Sequence, residues 1–235
     1  MNISGKKAII FGGTSGIGLS TVKMLSEKGA SKIIAISRNP EKVSEIPDNV
    51  ELVKLDVLDE NGLKTFFDKQ GEFDILVNSA TGGARALGPF LNMDMEGYRN
   101  SFFKLWGYSN VVRYGTENLK NDGCIVLVSG SPARNCRPGY IALSSVGGAV
   151  EAFARGIAKE INPKRINVVS PGTIDTPMSP LEGEERKTFY QNATKTNLIP
   201  RAGTPEEVAQ GIIFAIENDF ITGTTIDVDG GWLLS

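Results

Sequence analysis

Lys7-Ala8-Ile9-Ile10-Phe11-Gly12-Gly13-Thr14-Ser15-Gly16-Ile17-Gly18 is the stretch whose reading decides the fold. Five residues, four of them apolar, predict a strand buried on both faces, and the glycines predict a tight turn into a helix. Glycines at Gly12, Gly16 and Gly18 let backbone N–H groups approach a phosphate closely, and the positive end of the following helix favours its charge. The pattern therefore predicts a β-α unit whose turn cradles a pyrophosphate, with Gly12, Thr14, Ser15, Gly16, Ile17 and Gly18 in contact with it.

Outward from this turn, short apolar runs alternate with helical periodicity. Strands are expected at Lys7–Phe11, Lys32–Ser37, Val50–Leu55, Phe73–Asn78, Cys124–Ser129, Arg165–Ser170 and Thr224–Val228. Helices are expected at about Gly16–Lys28, Glu60–Lys69, Met95–Leu119, Gly139–Ile161 and Pro205–Glu217. Repeated β-α-β units with two-sided apolar strands imply an α/β, doubly wound (Rossmann), mostly parallel sheet of about seven strands with helices on both faces. No linker divides residues 1–235, which read as one dinucleotide-binding domain. Residues 177–200 are too long for a plain connection and are expected to cover a substrate site.

The second strand ends Ser37-Arg38, and no carboxylate follows until Glu41. A site for a ribose 2′-OH wants an acid here, whereas a guanidinium and a hydroxyl suit a 2′-phosphate. Ser37 and Arg38 therefore predict NADP(H) rather than NAD(H).

The spacing Gly12-xxx-Gly16-x-Gly18 resembles the TGxxxGxG motif of the short-chain dehydrogenase/reductase superfamily, with Phe11 in the place of the leading Thr. The resemblance continues through Asp56-Val57, through Asn78-Ser79-Ala80-Thr81 as a degraded NNAG, and through Ser170-Pro171-Gly172-Thr173-Ile174-Asp175-Thr176. It ends in Thr222-Gly223 and Asp227-Val228-Asp229-Gly230-Gly231, so it covers nearly the whole chain. It implies further cofactor contacts at Asp56, Val57, Asn78, Ala80, Pro171, Gly172, Ile174 and Thr176.

The family's catalytic relay is Asn, Ser, Tyr and Lys, the last two as YxxxK. Tyr140 matches the tyrosine, but Ser144 stands at the lysine, Gly130 at the serine and Lys104 at the asparagine. Ser129 and Ser131 flank Gly130 and are candidates to orient a substrate oxygen. Lys104 is a candidate to replace the lost lysine beside the Tyr140 hydroxyl, or else a plain surface lysine. Without that lysine a phenol of pKa about 10 is a poor base but remains a usable acid. The expected activity is NADPH-dependent reduction of a small carbonyl or activated double bond. Two alternatives stay open: a catalytically impaired NADPH-binding regulatory or partner subunit, and a non-redox lyase or isomerase on the same fold. Arg134 and Arg137 precede Tyr140 and are either ligands for an acidic substrate or solvated residues.

The chain carries 25 basic and 27 acidic residues, net −2, with no run of one sign, which gives nucleic acid or an anionic membrane nothing to hold. It has no histidine, so acid–base work falls to other groups. Cys124 and Cys136 fit no metal pattern, and no metal is expected. Free thiols, no membrane span and a strand starting close behind Met1 imply a cytoplasmic protein without a signal peptide. Aromatics Phe102, Phe103, Trp106 and Tyr108, with Gly147-Gly148-Ala149 on the next helix, suggest a homodimer or homotetramer acting on a small-molecule substrate.

Overall fold

A computed structural model describes residues 1–81 and 85–235. In chain order the elements are β1 (Lys7–Phe11), α1 (Gly16–Glu27), β2 (Lys32–Ser37), β3 (Val50–Lys54), α2 (Glu60–Gln70) and β4 (Phe73–Asn78). Then follow α3 (Met95–Ser101), α4 (Phe103–Gly115), β5 (Leu119–Val128), α5 (Ile141–Ile157), β6 (Arg165–Pro171), α6 (Gly183–Thr194), α7 (Pro205–Glu217) and β7 (Thr225–Val228). The seven strands form one parallel sheet in the order β3-β2-β1-β4-β5-β6-β7. The direction of winding reverses between β1 and β4, which opens a crevice at their C-terminal ends.

Each face of the sheet buries its own core. On one side α2, α4 and α5 bring Phe66, Phe67, Tyr108, Val111, Val112, Val150 and Ala154 onto Ile9, Phe11, Leu76, Ile125 and Leu127. On the other, α1 and α7 bring Val22, Leu25, Val208, Ile212 and Ile216 onto Ile10, Ile33, Val77 and Val126. Central strands covered twice are mostly apolar and fully buried: all six residues of β4 are buried, Asp74 and Asn78 among them. That is why continuous apolar runs identified them. α7 starts with a full capping box between Thr204 and Glu207, with Pro205 at its first position. No helix among the described residues is long and apolar enough to cross a membrane.

Three expectations change. The helix expected over Met95–Leu119 is two helices, because Phe102 leaves α3 through a tighter bond from its N–H to the Arg99 carbonyl (3.0 Å) and restarts as the cap of α4. Leu119 opens β5 opposite Phe73, five residues before the expected strand, and the ladder shifts register before Ile75 pairs with Cys124. Gly147 faces inward: a Cβ there would lie 2.9 Å from Ala133 Cβ, so it packs against its own chain. On α4, Tyr108 is core, whereas Phe103 and Trp106 are 40% and 59% exposed.

Candidate active site

The C-terminal ends of β1, β2 and β4 border a cleft of about 210 Å³. Its floor is the glycine turn: Gly12, Thr14, Ser15, Gly16, Ile17 and Gly18 all line it. Gly12 has φ +78°, and a Cβ there would meet Ser79 Oγ at 2.7 Å, so only glycine fits. A Cβ on Gly18 would run into the Gly12 carbonyl, so that position seats α1 against the turn. The N-terminus of α1 is open. Ser15 makes no side-chain cap and no acid lies in the first turn, so the N–H groups of Gly16, Ile17 and Gly18 have no intrahelical acceptor.

Ser37, Arg38, Asp56, Val57, Ala80 and Thr176 also reach the cleft. Arg38 is exposed and makes no ion pair among the described residues. The remaining expected contacts, Asn78, Pro171, Gly172 and Ile174, do not line it. Asn78 is buried beneath it, its Oδ1 accepting the Ala80 N–H at 3.1 Å. Pro171 ends β6, Gly172 is wedged against Asp229, and Ile174 packs under Gly203. Sequence reasoning missed Ser79, Thr81, Pro177 and Met178, which line the cleft beside residues it found.

Four buried side-chain atoms lack a partner among the described residues: Ser37 Oγ, Asn78 Nδ2, Ser131 Oγ and Ser170 Oγ. All four lie at or just past the C-terminal ends of β2, β4, β5 and β6. Orphaned polar groups gathered on one edge of a sheet fit a ligand that completes them. Together with the open helix terminus they accommodate a dinucleotide.

Known proteins support the same architecture. The profile of a family described as enoyl-(acyl carrier protein) reductase matches residues 12–233. The 3-oxoacyl-(acyl-carrier-protein) reductase of Chlamydia pneumoniae is 28% identical over 98% of this chain and 98% of its own. The L-xylulose reductase of Bos taurus is 31% identical over 99% of this chain and 98% of its own. Among solved structures, a small-chain dehydrogenase in complex with NADPH superposes with TM-score 0.84 at 29% identity, covering 98% of this chain and 99% of that one. ElxO with NADP bound superposes with TM-score 0.87 at 25% identity, covering 98% and 99%.

The chain belongs to the short-chain dehydrogenase/reductase superfamily.

In this member of the superfamily the expected catalytic residues fall into two groups. Lys104, in the first turn of α4, donates from Nζ to the Ser129 carbonyl at 3.1 Å. Burial, and then the charge of Arg85, pull its pKa down to about 7. Ser129 Oγ donates to Glu151 at 3.3 Å, and Ser131 is fully buried two residues on. Tyr140 stands elsewhere. It caps α5, packs its ring edge-on against Trp232 at 6.2 Å, and lines a second, apolar cleft with Leu87, Gly88, Pro89, Pro138 and Gly139. Its hydroxyl makes no hydrogen bond among the described residues, and Lys104 turns to Ser129 rather than to it.

The two arginines ahead of Tyr140 are held by the protein itself. Arg134 pairs with buried Glu151 at 3.3 Å and with Asp227 of β7. Arg137 stacks over the Trp232 ring at 3.7 Å. It also donates to the Ala193 carbonyl, Thr196, Asn197 and the Ser235 hydroxyl at 2.8–3.1 Å. It thereby ties the loop before Tyr140 to the end of α6 and to the last residue of the chain. Residues 177–200 fold around α6, whose Arg186 grips Asp175 and the Thr176, Ser179 and Leu181 carbonyls. That segment runs past the cleft through Pro177 and Met178.

Proposed function

We propose that this protein is an NADP(H)-dependent oxidoreductase that reduces a small carbonyl or an activated double bond. The observation that carries the reading is the end of β2: Arg38, exposed and without an ion pair among the described residues, lines the same cleft as the glycine turn, next to Ser37. A 2′-phosphate gives that guanidinium a partner, while a ribose diol leaves it idle. The relatives named above bind NADPH or NADP, or reduce oxoacyl or sugar carbonyls, and agree with this choice. The turn backbone and the α1 terminus would hold the pyrophosphate. The cofactor supplies hydride when bound. Ser129 or Ser131 orients the substrate oxygen, and Tyr140, as a neutral phenol, gives the proton. Residues 177–200 exclude water from the reacting groups, in a single domain that works as a homodimer or homotetramer in the cytoplasm.

A second reading is favoured by one observation, that Lys104 bonds the Ser129 carbonyl and makes no hydrogen bond to Tyr140 among the described residues: the chain binds NADPH and signals its presence without turning it over. One experiment tests both. NADPH and NADH are titrated by fluorescence, and NADPH oxidation is followed over a panel of ketones, quinones and enones, for wild type and Tyr140→Phe. Reductase activity requires tight binding of NADPH over NADH and turnover that Tyr140→Phe abolishes. Equal binding of the two cofactors sinks the assignment to NADP(H).

A further inference from the structure

Three segments far apart in the chain close around one indole. Trp232, in the turn after β7, is 3% exposed. The Arg137 guanidinium lies over its ring at 3.7 Å, and the Tyr140 ring meets it edge-on at 6.2 Å. The indole N–H donates to the Asn135 carbonyl at 3.0 Å, and Asn135 Nδ2 donates back to the Trp232 carbonyl at 2.9 Å. The loop before α5 thus holds this residue by face, edge and backbone.

The turn that carries Trp232 is set from the other side. The Asp229 carboxylate accepts from the Gly231 and Leu233 N–H groups at 2.8 and 3.0 Å, and its carbonyl from the Trp232 N–H at 3.2 Å. Gly231 has φ +82°, and a Cβ there would meet Leu198 at 2.7 Å, so the turn lies flush against the end of residues 177–200. The Ile199 N–H donates to the Gly230 carbonyl at 2.8 Å, and Arg137 bonds the same stretch through the Ala193 carbonyl, Thr196 and Asn197.

Tyr140 has no such ties of its own. Four of the five tyrosines lock their rings through the hydroxyl: Tyr98 on Ser145, Tyr108 on the Val128 carbonyl, Tyr114 on Glu60 and Tyr190 on the Ile174 carbonyl. Tyr140 alone makes no such bond among the described residues, which leaves its hydroxyl for a ligand and its ring to be held by something else. Ser144, one turn along α5, bonds it through the backbone, N–H to carbonyl at 2.9 Å. Its one aromatic neighbour among the described residues is Trp232. An edge-on pair prefers one mutual orientation, so a fixed indole selects one direction for the phenol.

We propose that Trp232 is the positioning residue for Tyr140: it sets the direction of the phenol and ties it, through Arg137 and Gly231, to residues 193–199 of the covering segment. The part played in proton donation rests on the reductase reading above; the hold on the phenol does not.

The test uses the full chain labelled with carbon-13 at tyrosine Cζ, in wild type, Trp232→Leu and Trp232→Phe. The Tyr140 resonance is assigned by its absence from Tyr140→Phe. A single narrow line is expected in wild type, broadened or split in Trp232→Leu, and narrow again in Trp232→Phe, which keeps a ring without the indole N–H. In NADPH oxidation with the most active of the ketones, quinones and enones, Trp232→Leu should lower kcat about tenfold or more and leave the KM for NADPH within about twofold, with most of kcat recovered in Trp232→Phe. Should Trp232→Leu not fold, Trp232→Met, unbranched and able to fill the gap, carries the test. A narrow line without the aromatic ring, equal loss of kcat in the leucine and phenylalanine variants, or a kcat that survives Trp232→Leu while Tyr140→Phe abolishes it overturns the assignment. Failure of the reductase reading looks different: no compound is reduced, or Tyr140→Phe leaves turnover intact, while the carbon spectra still decide whether Trp232 holds the phenol.

Discussion

The turn leaving β1 and the loop leaving β5 lie on the same edge of one sheet, two strands apart, yet they are held in opposite ways. The first is fixed by its own residues. Gly12 and Gly18 fit where no side chain does, and the ligand face is left as bare N–H groups. The second is fixed from a distance. Arg134 reaches β7, Arg137 reaches α6 and Ser235, and Asn135 exchanges hydrogen bonds with Trp232 at 2.9 and 3.0 Å. A ligand site that must accept one invariant group can be written locally. The loop after β5 is instead assembled from parts of the chain up to 100 residues apart.

That contrast can be broken in four ways. The largest effect is expected at Gly18→Ala, whose methyl meets the Gly12 carbonyl. NADPH affinity should fall by about a hundredfold, read by fluorescence titration, because the whole turn must shift. Unchanged affinity would mean that the turn is not the phosphate cradle. Next is Arg137→Met, which removes four hydrogen bonds and a stacked ring. It should lower stability by about 2 kcal/mol, or Tm by roughly 4–8 °C, and raise hydrogen exchange in residues 190–197 and 232–235 together. Arg137→Lys should not rescue it, since an ammonium cannot stack and fork at once. If exchange rises in only one of the two segments, the arginine does not couple them.

Arg38→Gln should weaken NADPH by about tenfold and leave NADH unchanged, which sharpens the comparison by showing one residue acting through one phosphate. The smallest effect concerns Lys104. Its folded pKa of about 7 lies below the usual 10.5, so between those values the unfolded chain holds the extra proton and stability rises with pH. Below pH 7 both states are charged and the burial penalty is felt in full. Lys104→Met should therefore raise Tm by a few degrees at pH 6 and flatten the rise between pH 7 and 9 in thermal melts. An unaltered pH profile would place the titration elsewhere.

Much of this was legible beforehand. The inner strands were found because two-sided burial writes mostly apolar runs, the edge strands β3 and β7 from shorter, half-exposed ones, and twelve of the sixteen expected cofactor contacts reach the cleft. The errors lie where periodicity carries no information. Nothing in residues 95–119 announces the break at Phe102, because both helices share similar apolar spacing. Arg134 and Arg137 looked free because their partners, Asp227, Thr196 and Ser235, lie 59 to 98 residues away.

The sequence by itself determined the doubly wound sheet, the glycine turn at its first strand and the placing of Ser37-Arg38 beside that turn. These depend on backbone sterics and burial, which act between near neighbours. The tertiary structure decided which side chains share the space beyond β5: that Tyr140 rests on Trp232 and that Lys104 serves Ser129. Charge and hydrogen bonding act across space regardless of chain separation, so only the folded chain can say which groups meet.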